Sequence, residues 1–292
     1  MAAGGRRSGL RPPGGRLRPR RLARSAVPAE RYPGAPPSRP AVSVLQRAFH
    51  RLNGVLGLHR GAASAGLPAA TRRRISRVRS QGLTYLPEAK LAALARAMRD
   101  VEARGLEGVV VEAGCALGGS AVVLASEKAP ARPFRVYDVF GTIPPPTEDD
   151  TPDAHARYRV IAEGASAGLL GETYYGYRGD LYPAVRATLD RFGVGDAAHR
   201  VELVRGLVQD TLRVDEPVAL AHVDVDWYEP VMTCLERLFP RLVVGGHLVL
   251  DDYHDWGGCR KATDAYLGRV AGQFRADDSA GSLRLTRTAL AT

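Results

Sequence analysis

Short apolar runs alternate with longer segments of helical periodicity from residue 109 to residue 270, and this alternation restricts the fold more than any other feature. The runs are of strand length and read GVVVEAG, FRVYDVF, VELVRG, PVALAHVDVD and GGHLVLDD. Strands that alternate with helices build parallel sheets with right-handed crossovers. We therefore predict an α/β fold with a doubly wound, mostly parallel sheet. The final segment, QFRADDSAGSLRLTRTAL, is typical of two strands around a turn and predicts an antiparallel end to that sheet.

The segments around this alternating part differ in how much order their composition predicts. Apolar residues recur at helical spacing after Pro87 and predict a helix there: Leu91, Leu94, Ala95, Met98 and Val101. Residues 71–82, TRRRISRVRSQG, are predicted to be a basic connector. Residues 141–180 form a long insertion, helical in part at most, and a candidate lid over a substrate site. Residues 1–75 are rich in Arg, Pro and Gly, so we predict a largely disordered tail ahead of one folded domain, residues 76–292.

The net charge of +10 is divided unevenly along the chain. Residues 1–80 hold eighteen Arg, no Lys and one acidic residue, which gives +17, whereas the remaining residues sum to −7. The basic character therefore belongs to the N-terminal segment, and a surface for specific nucleic-acid binding on the folded part is not supported. That segment is compatible with a solvated tail, an organellar transit peptide, or an electrostatic tether to RNA or anionic lipid.

The cysteines are few and scattered, at Cys115, Cys234 and Cys259. Their odd number and wide spacing match neither a disulfide framework nor a zinc site. Unpaired cysteines favour a reducing compartment, and we predict a cytoplasmic protein. The chain has no uninterrupted run of about 18 apolar residues, so we predict no transmembrane segment. The oligomeric state is left open, and a homo-oligomer is among the states allowed.

A glycine-rich turn follows the first predicted strand, with Gly114 and Gly118 on either side of the strand-to-helix junction. Glycines there let the backbone approach a ligand closely, and the helix N-terminus favours anionic groups. The spacing differs from the G-x-G-x-x-G of dinucleotide sites, and Glu112, just ahead of the turn, would repel a pyrophosphate. An acid in this place suits a ligand with a cationic end, such as the amino-acid part of S-adenosylmethionine. Asp138 ends the second strand, where a carboxylate can accept hydrogen bonds from ribose hydroxyls.

Four aspartates follow two consecutive apolar runs. Asp224 and Asp226 follow the run VALAHV, and Asp251 and Asp252 follow Leu248-Val249-Leu250. Ligands of doubly wound sheets bind beyond the carboxyl ends of the strands, so these side chains should converge if the two strands are neighbours. Clustered carboxylates repel one another unless a cation lies between them, and ligands that are all oxygen suit Mg²⁺. We therefore expect Asp224, Asp251 and Asp252 to surround a divalent cation.

The chain resembles a known family, the macrocin O-methyltransferase (TylF-type) family of class I, S-adenosylmethionine-dependent methyltransferases. The resemblance spans about residues 84–267. It rests on VEAGCALGGS, DVFGTIPPP, VRGLVQDTL, HVDVDWYEPVMTCLERLFPRLVVGGHLVLDDY and GCRKATDAY. It implies a Rossmann-like methyltransferase domain that acts on a hydroxyl of a sugar or a sugar-containing natural product. Trp227 and the 141–180 insertion depart from the antibiotic-modifying enzymes, which leaves the acceptor open.

The resemblance also implies roles for single residues. Asp224, Asp251 and Asp252 would hold Mg²⁺, and Asp226 would be the general base. The cofactor site would be lined by Glu112, Gly114, Gly118 and Asp138, with Gly206 near the adenine. His254 is an alternative base. Two rival functions are a nucleotide-dependent oxidoreductase and a non-catalytic, Arg-tailed binding module; the glycine spacing and the four aspartates argue against them.

Overall fold

The computed structural model describes residues 63–195 and 197–290. The predicted disordered tail therefore lies, as far as residue 62, outside the described residues. Within them the helices are α1 (Ala69–Ser80), α2 (Glu88–Ala103), α3 (Gly119–Glu127), α4 (Pro152–Ala162), α5 (Tyr182–Arg191), α6 (Val208–Thr211), α7 (Tyr228–Leu238) and α8 (Gly257–Leu267). The strands are β1 (Val109–Ala113), β2 (Phe134–Asp138), β3 (Val201–Arg205), β4 (Val218–Val223), β5 (Leu242–Leu250), β6 (Phe274–Asp277) and β7 (Leu283–Arg287).

The strands form one seven-stranded sheet in the order β3-β2-β1-β4-β5-β7-β6. The first five strands pair in parallel, and β7 pairs antiparallel with both β5 and β6. The first strand, β1, thus lies inside the sheet, and the later strands are added on both sides of it. The predicted doubly wound, mostly parallel α/β fold with an antiparallel C-terminal end is confirmed.

Both faces of the sheet are covered by helices. One apolar layer joins residues of α1, α2, α3 and α5 to alternate strand residues such as Val110 and Val136. The other joins α7 and α8 to the intervening residues, such as Val109 and Val111. Because successive strand side chains point to opposite faces, β1 contributes to both layers and all five of its residues are buried.

The segment predicted to be a basic connector is instead helix α1, which packs on α2 and α3. Ile75 and Val78 lie one turn apart and are buried in the core, while Arg72, Arg73 and Arg77 face solvent. The segment is rich in arginine, and its few apolar residues form only a narrow face of the helix, so the helical periodicity is weak in the sequence. Packing of the folded part therefore extends through the boundary expected between residues 75 and 76.

The 141–180 insertion is anchored to the sheet's C-terminal edge by hydrogen bonds to two helix starts. Asp150 Oδ1 accepts a hydrogen bond from the backbone N–H of Tyr228 at 2.8 Å, at the start of α7. Asp153 Oδ2 accepts one from the N–H of Gly257 at 3.1 Å, at the start of α8. Carboxylates stabilise helix N-termini, because they satisfy N–H groups that have no partner within the helix. The insertion is thereby held over the ends of β4 and β5.

Among the described residues, no helix has both the length and the apolar character that crossing a bilayer would need. The three cysteines are buried and form no disulfide. The cytoplasmic location stays a prediction.

Candidate functional site

A cavity of about 790 Å³ opens at the carboxyl ends of β1 to β5. Its wall includes most of the site residues expected from the sequence: Gly114, Asp138, Gly206, Asp224, Asp226, Asp251, Asp252 and His254. The chain reaches the cavity directly after each parallel strand, as expected for a doubly wound sheet. The cavity wall does not include Glu112 or Gly118.

The turn after β1 requires glycine at two positions. Gly114 has φ +83°, and a Cβ atom there would lie 1.9 Å from the carbonyl oxygen of Asp224. Gly118 has φ +84° and precedes the first residue of α3; a Cβ there would meet Val185 of α5 at 3.2 Å. Gly114 therefore lets two strand ends approach each other at the cavity. Gly118 allows the turn to close against a neighbouring helix.

The carboxylate of Asp138 is held by the backbone of two loops. Its Oδ2 accepts hydrogen bonds from the N–H groups of Cys115 and Ala116, at 2.7 and 3.2 Å. Its Oδ1 accepts one from the N–H of Phe140 at 2.6 Å. An ionised carboxylate offers about four acceptor positions, so Asp138 keeps capacity for a further donor such as a ribose hydroxyl. Gly206 lies beside it, since its N–H bonds to the carbonyl of Asp138 at 3.0 Å.

The aspartates after β4 and β5 meet as the sequence predicts. Val223 and Leu250 are register partners at the ends of adjacent strands, which brings the following residues together. One carboxylate oxygen each from Asp224, Asp251 and Asp252 lies within 4.8 Å of the others. The predicted strand continues through Asp226, but β4 ends at Val223. The convergence therefore comes from the loops beyond the strands rather than from strand alternation.

Asp226 has the left-handed backbone conformation, with φ +57°. This conformation is uncommon for residues other than glycine, although Asp and Asn adopt it more often than most. The N–H of Asp226 donates to Asp252 Oδ2 at 3.3 Å, which ties the β4 loop to the β5 loop. The next residue, Trp227, is held by a hydrogen bond from its Nε1 to the carbonyl of Pro144 in the insertion, at 2.9 Å.

The clustered aspartates differ in how far neighbouring groups stabilise their negative charge. Burial, together with the neighbouring carboxylates, raises the pKa of Asp224 and of Asp252 well above the usual range. Burial also opposes ionisation of Asp251, but the ammonium of Lys90 outweighs it and holds the pKa of Asp251 below the usual range. Lys90 Nζ lies 2.9 Å from Asp251 Oδ2 and 2.9 Å from Asp255 Oδ2. Among the described residues, Asp251 is thus the clustered aspartate that forms an ion pair with a lysine. An all-oxygen donor set such as that of Asp224, Asp251 and Asp252 fits a hard divalent ion.

Behind this cluster lies a buried ion pair that the sequence does not predict. Glu112 Oε1 is 2.8 Å from Nδ1 of His222, its register partner on β4. Nε2 of His222 is 4.0 Å from Asp251 Oδ1. Although burial opposes protonation of His222, Asp251 and Glu112 raise its pKa to about 9. Glu112 thus contacts His222 instead of the cavity, and its direct contact with a cofactor stays a prediction that this geometry does not favour.

Aromatic and other polar side chains complete the cavity wall. Tyr174 and Tyr175 of the insertion lie with ring centroids 4.5 Å apart, and Trp227 and Trp256 with centroids 5.6 Å apart. His254 Nε2 is 3.2 Å from Asp278 Oδ2 at the same wall.

Cys115, in the glycine turn, is buried. Burial, with Asp138 next in effect, raises the pKa of its thiol well above the usual range. A buried thiol with a raised pKa is a poor nucleophile, so this environment favours a packing role for Cys115.

Comparison with known sequences decides the family. The sequence model of the macrocin O-methyltransferase (TylF) family matches residues 57–271. The chain belongs to this family. The resemblance of residues 84–267 to this family is thereby confirmed, and the match extends beyond both ends of that segment.

Curated relatives include O-methyltransferases of antibiotic biosynthesis. One relative is the 8-demethyl-8-(2,3-dimethoxy-alpha-L-rhamnosyl)-tetracenomycin-C 4'-O-methyltransferase of Streptomyces olivaceus. The two chains are 33% identical over 175 residues, a match that covers 58% of this chain and 61% of the relative. This chain is 29% identical over 180 residues to the mycinamicin III 3''-O-methyltransferase of Micromonospora griseorubida, covering 59% and 64%. The chain thus spans somewhat less than two thirds of the length of these relatives.

Solved structures show the same fold. The O-methyltransferase NovP matches with a TM-score of 0.60 and 21% identity, over 83% of this chain and 100% of that one. The calicheamicin methyltransferase CalS11 matches with a TM-score of 0.51 and 18% identity, over 83% of this chain and 91% of that one. The described domain accordingly has the class I methyltransferase fold.

Proposed function

We propose that this protein transfers the methyl group of S-adenosylmethionine to a hydroxyl of a sugar or a sugar-containing natural product, with Mg²⁺ as the metal. The observation that carries the proposal is the meeting of two sites in one cavity. A glycine turn with an ordered carboxylate, Gly114 with Asp138, suits the cofactor. The carboxylates of Asp224, Asp251 and Asp252 suit the metal. Membership of the TylF family and the names of the curated relatives support this reaction and this class of acceptor.

The cavity residues have distinct tasks in this reaction. Asp138 would accept hydrogen bonds from the ribose hydroxyls, and Gly206 beside it would leave room for the adenine. Asp224, Asp251 and Asp252 would hold the metal, which would supply a positive charge that lowers the pKa of the acceptor hydroxyl. Asp226 would accept the proton of the acceptor hydroxyl as the acceptor oxygen bonds to the methyl carbon. The sulfur keeps the electron pair of the broken C–S bond, so the cofactor leaves as S-adenosylhomocysteine.

Calorimetry and a transfer assay test the proposal together. S-Adenosylhomocysteine should bind the wild type and raise its melting temperature, whereas NAD should do neither. Transfer of a labelled methyl group to a panel of deoxysugar glycosides should require Mg²⁺ and stop in excess chelator. Binding of NAD in place of S-adenosylhomocysteine would favour the oxidoreductase. Full activity in chelator would remove the metal from the mechanism, and binding of neither nucleotide would favour a non-catalytic module.

A further inference from the structure

Arg157 is a cation on the cavity wall, and the contacts of its guanidinium group seen within the described residues are to uncharged side chains. It lies on α4, within the insertion, one helical turn before Ile161, which also lines the cavity. Its Nη2 donates a hydrogen bond to Ser166 Oγ at 2.8 Å, and its guanidinium carbon is 5.6 Å from the centroid of the Tyr174 ring. These two contacts orient the guanidinium without neutralising its charge.

Near Arg157 lies the buried hydroxyl of Tyr85, which has only a weak contact, to the backbone of Tyr175, among the described residues. Tyr85 precedes α2 and lines the cavity, with its ring centroid 5.7 Å from that of Tyr175. Its Oη is buried and makes no hydrogen bond of ordinary geometry with any described residue. Burial raises the pKa of Tyr85 to about 12, against the opposing effect of Arg157, so the hydroxyl remains a donor at neutral pH. A buried hydroxyl without a well-formed hydrogen bond is unfavourable, which makes a ligand a natural partner for it.

We propose that Tyr85 and Arg157, beside the rings of Tyr175 and Tyr174, form an anion subsite that binds a carboxylate of a ligand in the cavity. Arginine offers two parallel N–H groups that match the two oxygens of a carboxylate, and the phenol adds a third donor. The subsite contrasts with the cluster of Asp224, Asp251 and Asp252, which repels anions. A ligand that spans the cavity would thus be oriented by charge at both ends.

Two molecules could supply the carboxylate, and this inference rests on the proposed function for both. One is the cofactor, whose amino-acid end carries a carboxylate. The other is the acceptor, if its sugar is a uronic acid. Both sources present the same chemistry to Tyr85 and Arg157, so the experiment has to separate them.

The first arm compares S-adenosylhomocysteine with 5′-methylthioadenosine, which lacks the amino-acid end. If the cofactor supplies the carboxylate, Arg157→Gln should weaken S-adenosylhomocysteine binding about tenfold or more in calorimetry, because a charged hydrogen bond is lost. Tyr85→Phe should weaken it less, and neither change should alter 5′-methylthioadenosine binding. Arg157→Lys should keep part of the affinity. Arg159→Gln is the matched control, since Arg159 is exposed on the same helix and does not line the cavity.

The second arm uses the protein saturated with S-adenosylhomocysteine and asks whether a sugar acid is preferred. If the acceptor supplies the carboxylate, saturation-transfer NMR should detect methyl glucuronide in preference to methyl glucoside with the wild type. The preference should disappear in Arg157→Gln and persist in Arg159→Gln. Unchanged S-adenosylhomocysteine affinity in folded Arg157→Gln, together with no preference for the glucuronide, would overturn the anion subsite. Failure of S-adenosylhomocysteine to bind the wild type would instead refute the proposed function.

Discussion

At the scale of single residues, the four clustered aspartates differ more in their surroundings than their shared side chain suggests. Lys90 compensates Asp251, whereas the pKa values of Asp224 and Asp252 are raised by burial and by their neighbours. Asp226 reaches the cavity from a strained backbone position. Residues held in sparsely populated conformations concentrate at functional sites. Substitution should therefore separate a metal role from a proton-accepting role.

Asp224→Asn should lower the affinity for Mg²⁺ and reduce methyl transfer, with partial recovery at high Mg²⁺ or Mn²⁺. Asp226→Asn should leave metal and cofactor affinity close to wild type and slow transfer by about 10²- to 10⁴-fold, the usual effect of losing a general base. Calorimetry and single-turnover rates measure the two effects. Asp210→Asn is the control, because Asp210 is exposed and absent from the cavity wall. Loss of the metal in Asp226→Asn would make Asp226 a ligand, and His254 would become the base to test.

A second prediction concerns the buried pair of Glu112 and His222. The pKa of His222 is raised from 6.5 to about 9, so the stability that its protonated form contributes is complete below pH 6.5 and is lost as the pH rises through about 9. Glu112→Gln should lower the free energy of unfolding at pH 6.5 by roughly 1–3 kcal/mol, since a buried charged partner is removed. The difference from wild type should narrow as the pH passes about 9.

Urea unfolding across this pH range, in the presence of chelator, measures the effect of Glu112→Gln. The control is Glu107→Gln, because Glu107 is exposed on the surface. A pH-independent difference would contradict the role assigned to His222. The cofactor affinity of the folded variant tests the predicted cofactor role of Glu112. A large loss of affinity would support that role, and an unchanged affinity would indicate that Glu112 contributes to stability alone.

At the scale of elements, the turn between β1 and α3 connects Asp138 to the clustered aspartates. Gly114 is packed against the backbone of Asp224, so the position of the aspartate cluster depends on the shape of a turn far away in the sequence. The insertion has a similar effect from the other side, because Asp150 and Pro144 hold it to Tyr228 and Trp227. The cavity is thus built by loops that brace one another.

Gly114→Ala should be much more damaging than the same change at another glycine with positive φ. Gly105 has φ +60° and open space around its Cβ position, so Gly105→Ala should cost about 1–2 kcal/mol from backbone strain alone. Gly114→Ala adds a clash at 1.9 Å with a backbone oxygen that cannot move independently. Urea midpoints and S-adenosylhomocysteine affinity measure the outcome. Similar urea midpoints for the two variants would show that the loop after β4 can move away from a Cβ at position 114. That result would contradict the claim that the two loops hold each other in place.

At the scale of the whole molecule, the packed core includes residues that precede the expected domain boundary. Leu67 and Ile75 are buried in the core, and Ser64 Oγ donates to Glu88 at 2.6 Å. The basic part of the chain therefore divides into a packed helix, α1, and the segment before it. The family match starts at residue 57, which is consistent with this division.

Two truncations test where the independently folding part begins. Removal of residues 1–62 should leave the melting temperature and S-adenosylhomocysteine affinity near those of the full chain. Removal of residues 1–75 should lower the melting temperature by several degrees or more, because it deletes Leu67 and most of α1 from the core. Equal stability of both truncated proteins would show that α1 contributes little and would support the predicted boundary at residue 76.

The sequence by itself determined the doubly wound sheet and the meeting of the aspartates, since both follow from local patterns. Periodicity defines each strand, and two consecutive parallel strands that end together bring the residues after Val223 and Leu250 to one edge. Only the tertiary structure decided the pairing of Lys90 with Asp251, of Glu112 with His222, and of Tyr85 with the insertion. These partners are far apart in the chain, and no spacing rule connects them. Their charges and hydroxyls acquire their properties from burial and from neighbours that the folded chain supplies.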